Sequence, residues 1–360
     1  MDPLVVALFV VGLGLLIAGG EALVKGAGRI ALSLGISPIV IGLTVVAFGT
    51  SAPELAVSVG AAFSGNPDLV VGNVVGSNIY NVLLILGLSA LIAPLIVGRQ
   101  VVRREVPLMV AASLGTVVLA LDGSIGRLDG LMLFGSLLVW LVFLLRESRG
   151  LERTEAHDAA EVTTARSGRI RSVAFIVAGL VMLVVGARWL VDGAVAVASA
   201  LGLSDLVIAL TVVAIGTSLP ELATSIIATI RGERDIAVGN VVGSNVFNLL
   251  AVLGLSAIIA GEVPVAQGAL TFDLPVMAAV AAACLPIFFT GYRIARWEGV
   301  LFLGYGVAYT VYLLATAMSH PTVPAFAEAL AGVIIPLTVV TLLLFVTRDV
   351  HRTRRAPAPG

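Results

Sequence analysis

Two glutamates stand inside long apolar stretches of this sequence, where a carboxylate is costly. Glu54 lies in LTVVAFGTSAPELA (43–56), and Glu221 lies in LTVVAIGTSLPELA (210–223). A carboxylate at the centre of a membrane-spanning helix costs roughly 2.5–3.5 kcal/mol on insertion scales. Two such groups facing each other would also repel, and a bound cation removes both penalties. The residues therefore predict cation binding within an apolar environment.

Each glutamate ends the sequence Gly-Thr-Ser-x-Pro-Glu, which interrupts a helix. Proline has no N–H, so the carbonyl group four residues earlier, at Gly49, loses its helical partner. Unwound backbone inside a membrane is tolerated where it is buried or lines a cavity, so the freed carbonyls are candidate ligands. Helical spacings of three, four and seven place further residues on the face of each glutamate. These are Ala47, Thr50 and Ser51 in the first segment and Ala214, Thr217 and Ser218 in the second.

A polar stripe follows each of these segments, with side chains four residues apart on one helical face. We expect Ser77, Asn81, Ser244 and Asn248 to complete the site with neutral oxygens. Asn73 and Asn240 begin the stripes, and for them we favour a structural role that joins helices.

The predicted ligands are all oxygens, which favours Ca²⁺. Calcium takes six to eight oxygen ligands, whereas Mg²⁺ fits less well because it dehydrates reluctantly. Zinc and copper sites need clustered Cys or His, and the sequence has one cysteine and no buried histidine cluster. No cofactor is expected.

The segments belong to an internal repeat with a fixed offset of 167 residues. Residues 34–92 align without gaps to 201–259, with 37 identities in 59 positions. Apolar packing would not require identical Thr, Ser, Glu and Asn residues. Equivalent positions lie five predicted spans apart, an odd number, so the two copies enter the membrane from opposite sides. Transporters with this inverted-topology design place the substrate site at the repeat interface.

The composition predicts an all-α polytopic membrane protein, since 59% of residues are hydrophobic and 12% are charged, against about a quarter charged in soluble domains. A helix needs roughly 20 apolar residues to cross a bilayer. Eleven stretches qualify: 4–33, 37–64, 68–93, 105–122, 127–146, 171–200, 204–230, 236–260, 269–290, 297–317 and 323–347.

The distribution of arginine sets the orientation, because basic residues concentrate in cytoplasmic loops. With the N-terminus outside, the basic loops and the C-terminal tail are cytoplasmic, and the external loops hold only Arg127. We predict a multi-pass protein of a prokaryotic cytoplasmic (inner) membrane, with no nucleic-acid partner and no obligatory protein partner.

The paired GTSAPE and GTSLPE, each followed by GNVVGSN and a further Asn, resemble the two repeats of the calcium/cation antiporter superfamily. The prokaryotic sodium/calcium exchangers are the most similar branch. The resemblance implies a ten-helix core of two inverted five-helix halves, 1–146 and 171–317. The resemblance also implies that Glu54 and Glu221 are shared Ca²⁺/Na⁺ ligands, supported by the carbonyls of Ala47 and Ala214. The polar composition of 147–170 predicts a cytoplasmic linker between the halves. The eleventh span and basic tail (318–360) are extra to the family's ten-helix core.

The sequence departs from many exchangers of this family at Asn248, where they have aspartate. Two central acids remain, which leaves the coupling ion open. We predict Ca²⁺/Na⁺ antiport, with Ca²⁺/H⁺ antiport on the same glutamates as the alternative. A cation channel and a membrane enzyme using the glutamates as acid and base are more remote alternatives. A transporter is favoured over an enzyme because nothing else indicates a substrate pocket.

Overall fold

The computed structural model describes residues 3–155, 165–201 and 214–318, together with Val323. The first half contains six helical segments: α1 (Pro3–Leu34), α2 (Pro38–Thr50), α3 (Ala52–Phe63), α4 (Pro67–Ile92), α5 (Val101–Asp122) and α6 (Arg127–Glu155). The second half contains six more: α7 (Ala165–Ala200), the single turn α8 (Ala214–Gly216), α9 (Leu219–Ile230), α10 (Arg234–Ala260), α11 (Ala269–Tyr292) and α12 (Arg296–Ala317).

The lengths and apolar character of these helices confirm a polytopic membrane protein. Among the described residues, eight helices are long and apolar enough to cross a bilayer, and the bent pair α2–α3 makes a ninth. The predicted span 204–230 is described only from Ala214 onwards. Apart from Val323, the predicted span 323–347 lies outside the described residues.

The predicted span 37–64 is two helices, which meet at an angle of 45°. Ser51 leaves helical geometry with φ −80° and ψ 6°, and Pro53 is the second residue of α3. The second half breaks in the same way, since Ser218 has φ −88° and ψ 9° and Pro220 is the second residue of α9. Proline is tolerated in the first turn of a helix, where no intrahelical N–H is needed, so each proline begins a new helix.

A wide helical turn occurs at the same place in α4 and α10. Asn81–Leu86 and Asn248–Leu253 are π-helical, and each begins on the last asparagine of the polar stripe. Such turns are rare and occur often at functional sites. Here they lie on the two most buried helices of the fold.

Two short antiparallel ribbons join loops of one half to loops of the other. Leu95–Ile96 (β1) pairs with Arg293–Ile294 (β4), and Ser124–Gly126 (β2) pairs with Glu262–Pro264 (β3). These ribbons provide hydrogen-bond partners for backbone groups in the loops between spans. They also join the two halves, since each ribbon pairs a loop of one half with a loop of the other.

The helices α1 and α7 lie side by side in antiparallel contact. A Cβ atom added at Gly179 would lie 2.6 Å from the backbone nitrogen of Leu23 and 2.7 Å from the carbonyl oxygen of Gly19. One at Gly186 would lie 2.7 Å from the carbonyl oxygen of Gly12. Small residues at such contacts let helix backbones approach closely in a membrane, so this pair is packed backbone against backbone.

The segment expected to be a linker, 147–170, is partly helical. The helix α6 extends into this segment as far as Glu155, and α7 begins within it at Ala165. Residues 156–164 lie outside the described residues.

Candidate ion-binding site

Both glutamates lie in the first turn of a half-helix, α3 or α9, just after the chain breaks. Neither Glu54 nor Glu221 is exposed to solvent (0% each). The N-terminus of a helix carries free N–H groups and a partial positive charge, which stabilise a nearby carboxylate. The two breaks therefore bring two positive helix ends and two carboxylates into the protein interior.

The two halves exchange hydrogen bonds at these carboxylates. The Ser51 hydroxyl donates to Oε1 of Glu221 over 3.1 Å, and the Ser218 hydroxyl donates to Oε1 of Glu54 over 3.2 Å. Each serine lies at the break of its own half and binds the glutamate of the other half. The two breaks therefore meet, and their polar groups form one candidate site.

Asn73 and Asn240 hold the glutamate helices in place. The Asn73 amide donates to the backbone carbonyl of Glu54 at 3.1 Å and to Ser58 Oγ at 2.8 Å. The Asn240 amide does the same for Glu221 and Ser225, at 3.3 and 3.0 Å. These contacts agree with the structural role favoured for the two asparagines.

The threonines of the two breaks reach the asparagines of the opposite half. Thr50 Oγ1 lies 3.0 Å from Asn240 Oδ1, and Thr217 Oγ1 lies 3.4 Å from Asn73 Oδ1. Thr50 is fully buried and Thr217 is half-buried. Both hydroxyls are placed at the site, and in this structure each is hydrogen-bonded to a protein acceptor.

The backbone carbonyl of Ala47 also has protein partners. It accepts the backbone N–H of Ser51 at 3.0 Å and lies 3.3 Å from Thr50 Oγ1. The backbone of Ala214 begins the single turn α8. Both alanines therefore lie just before the breaks, and the Ala47 carbonyl is not free in this structure.

Six buried oxygens of the predicted site residues have no hydrogen-bond partner. Buried polar atoms are nearly always hydrogen-bonded, so each exception needs an explanation. The six come from half of the twelve predicted ligand residues and from four helical segments. They are Oε2 of Glu54 and Glu221, Oγ of Ser77 and Ser244, and Oδ1 of Asn81 and Asn248.

These oxygens are of the types that bind a hard cation. Two carboxylate oxygens, two hydroxyls and two amide carbonyls match the lower end of the six to eight oxygens that Ca²⁺ takes. In the described part of the chain, no group of three or more His, Cys, Asp or Glu residues is placed to hold a metal ion. The site thus lacks the nitrogen and sulfur ligands that zinc and copper prefer.

Two further asparagines, Asn78 and Asn245, lie at the contact of α4 and α10, and the sequence analysis did not single them out. The Asn81 amide donates to Asn245 Oδ1 at 3.0 Å, and the Asn245 amide lies 3.3 Å from the carbonyl of Asn78. Both are identical between the repeats, in GSNIYN and GSNVFN. Identity of a polar residue between the two copies was the signal that would have found them.

A family model described as Sodium/calcium exchanger protein matches residues 4–146 and 171–316. The chain belongs to the sodium/calcium exchanger family. Sodium/calcium exchanger MaX1 of Methanosarcina acetivorans is 34% identical over 341 residues, covering 85% of this chain and 97% of that protein. Inner membrane protein YrbG of Escherichia coli (strain K12) is 43% identical over 266 residues, covering 72% of this chain and 82% of that protein.

The solved structure of the sodium-calcium exchanger NCX_Mj, soaked with 10 mM Na⁺ and 10 mM Sr²⁺, resembles the chain with a TM-score of 0.75. The two are 33% identical, and the match covers 86% of this chain and 98% of that one. The predicted family and the predicted ten-helix core are thus confirmed. The chain is a multi-pass membrane protein of a family of cation antiporters.

Proposed function

We propose that the chain exchanges Ca²⁺ for Na⁺ by alternating access at a single site built on Glu54 and Glu221. The observation that carries this proposal is the set of six buried, unpartnered oxygens contributed equally by the two halves. The names of MaX1 and NCX_Mj, which are described as sodium/calcium exchangers, support Na⁺ as the coupling ion. The hydroxyls of Thr50, Ser51, Thr217 and Ser218 and the carbonyls of Ala47 and Ala214 would supply further ligands.

The charge of the site favours exchange over leak. Two buried carboxylates without a counter-ion would be costly to carry through the membrane. One Ca²⁺ or two Na⁺ neutralises them, so either load permits the transition and an empty site does not. Because both ions use the same carboxylates, they compete.

Calcium uptake into proteoliposomes tests this function. Vesicles loaded with Na⁺ and diluted into Na⁺-free buffer with ⁴⁵Ca²⁺ should accumulate the label, and vesicles with equal Na⁺ on both sides should not. Accumulation without any outward cation gradient, abolished by clamping the potential, would indicate a channel instead.

Ca²⁺/H⁺ antiport is the second candidate. Among the described residues no third acid joins the two carboxylates of the site, and one oxygen of each carboxylate has no hydrogen-bond partner and could take a proton. Two protons would neutralise the glutamates as well as one Ca²⁺ does. Uptake driven by an outward H⁺ gradient, and not by Na⁺, would assign the chain to this activity.

We also propose that the halves 1–146 and 171–317 are inverted five-helix units with the N-terminus outside. The linker (147–170) and the basic tail of 318–360 would then be cytoplasmic. The contacts of the described residues are unequal between the halves. Gly20 of α1 lies against Ile227 of α9, and Glu21 forms an ion pair with Arg231 at 3.0 Å. By contrast, α7 has no extended contact with α3 in the described part of the chain.

This inequality predicts a state that is sealed on the cytoplasmic side and open towards the outside. A cysteine at Ala56, on the exposed face of α3, should react with an external, membrane-impermeant thiol reagent. A cysteine at Ala223, the equivalent position on α9 against α1, should react at least about tenfold more slowly. Cys284 is fully buried and gives little background. Equal labelling of the two positions would contradict the proposed state.

The hydrogen bonds between the halves predict the effect of removing one serine hydroxyl. A hydrogen bond to a charged group contributes about 1.5–3 kcal/mol, so Ser51→Ala or Ser218→Ala should weaken Ca²⁺ binding about 10-fold to 100-fold. Ser64→Ala is the matched control, because its exposed hydroxyl bonds only its own helix at Gly60. The Ca²⁺ concentration for half-maximal uptake measures the effect. An unchanged value in both site variants would argue against the cross-bonded site.

A further inference from the structure

Three cationic side chains gather over one aromatic ring where α1 and α7 pack together. The Lys25 ammonium lies 5.5 Å from the ring centroid of Phe175, and the guanidinium carbons of Arg29 and Arg171 lie 5.7 and 5.9 Å from it. Each cation is therefore within about 12 Å of the other two. Cation–π attraction is weak at exposed sites, so it does not explain why three like charges share one ring.

Among the described residues, no carboxylate forms an ion pair with Lys25, Arg29 or Arg171. Oε1 of Glu233 does lie 3.9 Å from a Cβ atom placed at Gly28, beside Arg29. Glu21, one turn before Lys25, is engaged in an ion pair with Arg231. Lys25, Arg29 and Arg171 are all exposed, and Phe175 is half-buried between them. The result is a patch of three positive charges open to an external anion.

The position of the cluster along the helices matches the level of lipid headgroups. An apolar run from Leu4 to Val24 precedes Lys25, with Glu21 as its one charged residue. About 20 residues of helix cover the hydrocarbon thickness of a bilayer, so Lys25 falls at its far edge. On α7 the apolar run that faces it begins at Ser172, directly after Arg171. The distribution of arginine predicts that this end of α1 and α7 lies on the cytoplasmic side.

We propose that Lys25, Arg29 and Arg171 form a binding site for the phosphate headgroup of an anionic phospholipid, with the ring of Phe175 between the three cations. Basic pockets between spanning helices on the cytoplasmic side suit such headgroups. The lipid phosphate would offset the repulsion among the three cations. A bound lipid would thus hold α1 and α7 together.

Thermal unfolding of the full-length protein in detergent, titrated with short-chain lipids, tests this site. Dioctanoyl phosphatidylglycerol should raise the unfolding midpoint in a saturable way, and the titration gives an apparent Kd. Dioctanoyl phosphatidylcholine, which has no net charge, should not. Each of the single substitutions Lys25→Gln, Arg29→Gln and Arg171→Gln should weaken the apparent affinity about fivefold, as expected for one basic residue at a membrane surface.

Arg99→Gln is the matched control, because Arg99 is an exposed cation that lies alone over the ring of Tyr292, at 5.4 Å. It should leave the affinity for phosphatidylglycerol unchanged. An equal loss in Arg99→Gln, or equal stabilisation by phosphatidylcholine, would overturn the site in favour of non-specific association. Stabilisation by inorganic phosphate that competes with the lipid would instead assign a soluble phosphate site and overturn the lipid assignment.

Discussion

Replacing either Glu54 or Glu221 with glutamine should reduce Ca²⁺ exchange by at least about a hundredfold. Glutamine keeps the size of the side chain and one oxygen ligand, but it removes one of two negative charges that balance Ca²⁺. The remaining single carboxylate leaves a net positive charge in a fully buried site, and an unbalanced buried charge is costly. Initial rates of ⁴⁵Ca²⁺ uptake, normalised to protein content, measure the loss.

The control for these two variants is Glu262→Gln. Glu262 is exposed on β3, far along the chain from either break, so its substitution should leave the rate within about twofold of the wild type. Size-exclusion profiles of all three variants should be alike. Exchange that persists at the wild-type rate in both site variants would remove the glutamates from the mechanism.

Placing a β-branched side chain at Gly179 should destabilise the protein strongly. The first atom of that side chain would lie 2.6–2.7 Å from the backbone of Leu23 and Gly19, and backbone cannot move aside as a flexible side chain can. Forcing extra atoms into packed contacts costs about 1–3 kcal/mol and sometimes more. We therefore expect Gly179→Val to lower the thermal unfolding midpoint by several degrees and to reduce exchange.

Gly14→Val is the matched control on the partner helix, because a Cβ atom at Gly14 has no neighbour within 4 Å. It should leave the unfolding midpoint and the exchange rate near those of the wild type. If both variants lose stability equally, the effect comes from valine in a helix and not from the contact of α1 with α7.

Much of the fold follows from the sequence because membrane insertion leaves few alternatives. Apolar runs of bilayer length must be helices, since no water in the hydrocarbon region can satisfy the backbone. The two prolines, Pro53 and Pro220, predicted interruptions, and the structure has a break beside each. The bend of 45° that turns the predicted span 37–64 into two helices could not be read from residue types alone.

The residue types of the candidate site were also predictable, because polar groups that have no function are too costly to occur twice inside a membrane. The hydrogen-bond partners of these residues were not predictable. The sequence does not say that Ser51 binds the glutamate of the other half, since that bond depends on how the two breaks meet across the repeat axis.

Partners outside the repeat were missed for a related reason. Glu105 accepts the indole N–H of Trp140 at 2.9 Å, and Asp273 accepts the hydroxyl of Tyr309 at the same distance. Each pair joins neighbouring spans of one half, but the residue types differ between the halves. No identity between repeats marked them, so only the packing of the helices reveals them.

Equilibrium binding of ⁴⁵Ca²⁺ to the purified protein, with Na⁺ as competitor, tests most directly whether both ions share one site on the two glutamates. We expect one Ca²⁺ per chain, complete displacement by Na⁺, and no measurable binding to Glu54→Gln or Glu221→Gln. Calcium that stays bound at saturating Na⁺, or that binds both variants with unchanged affinity, would contradict the account.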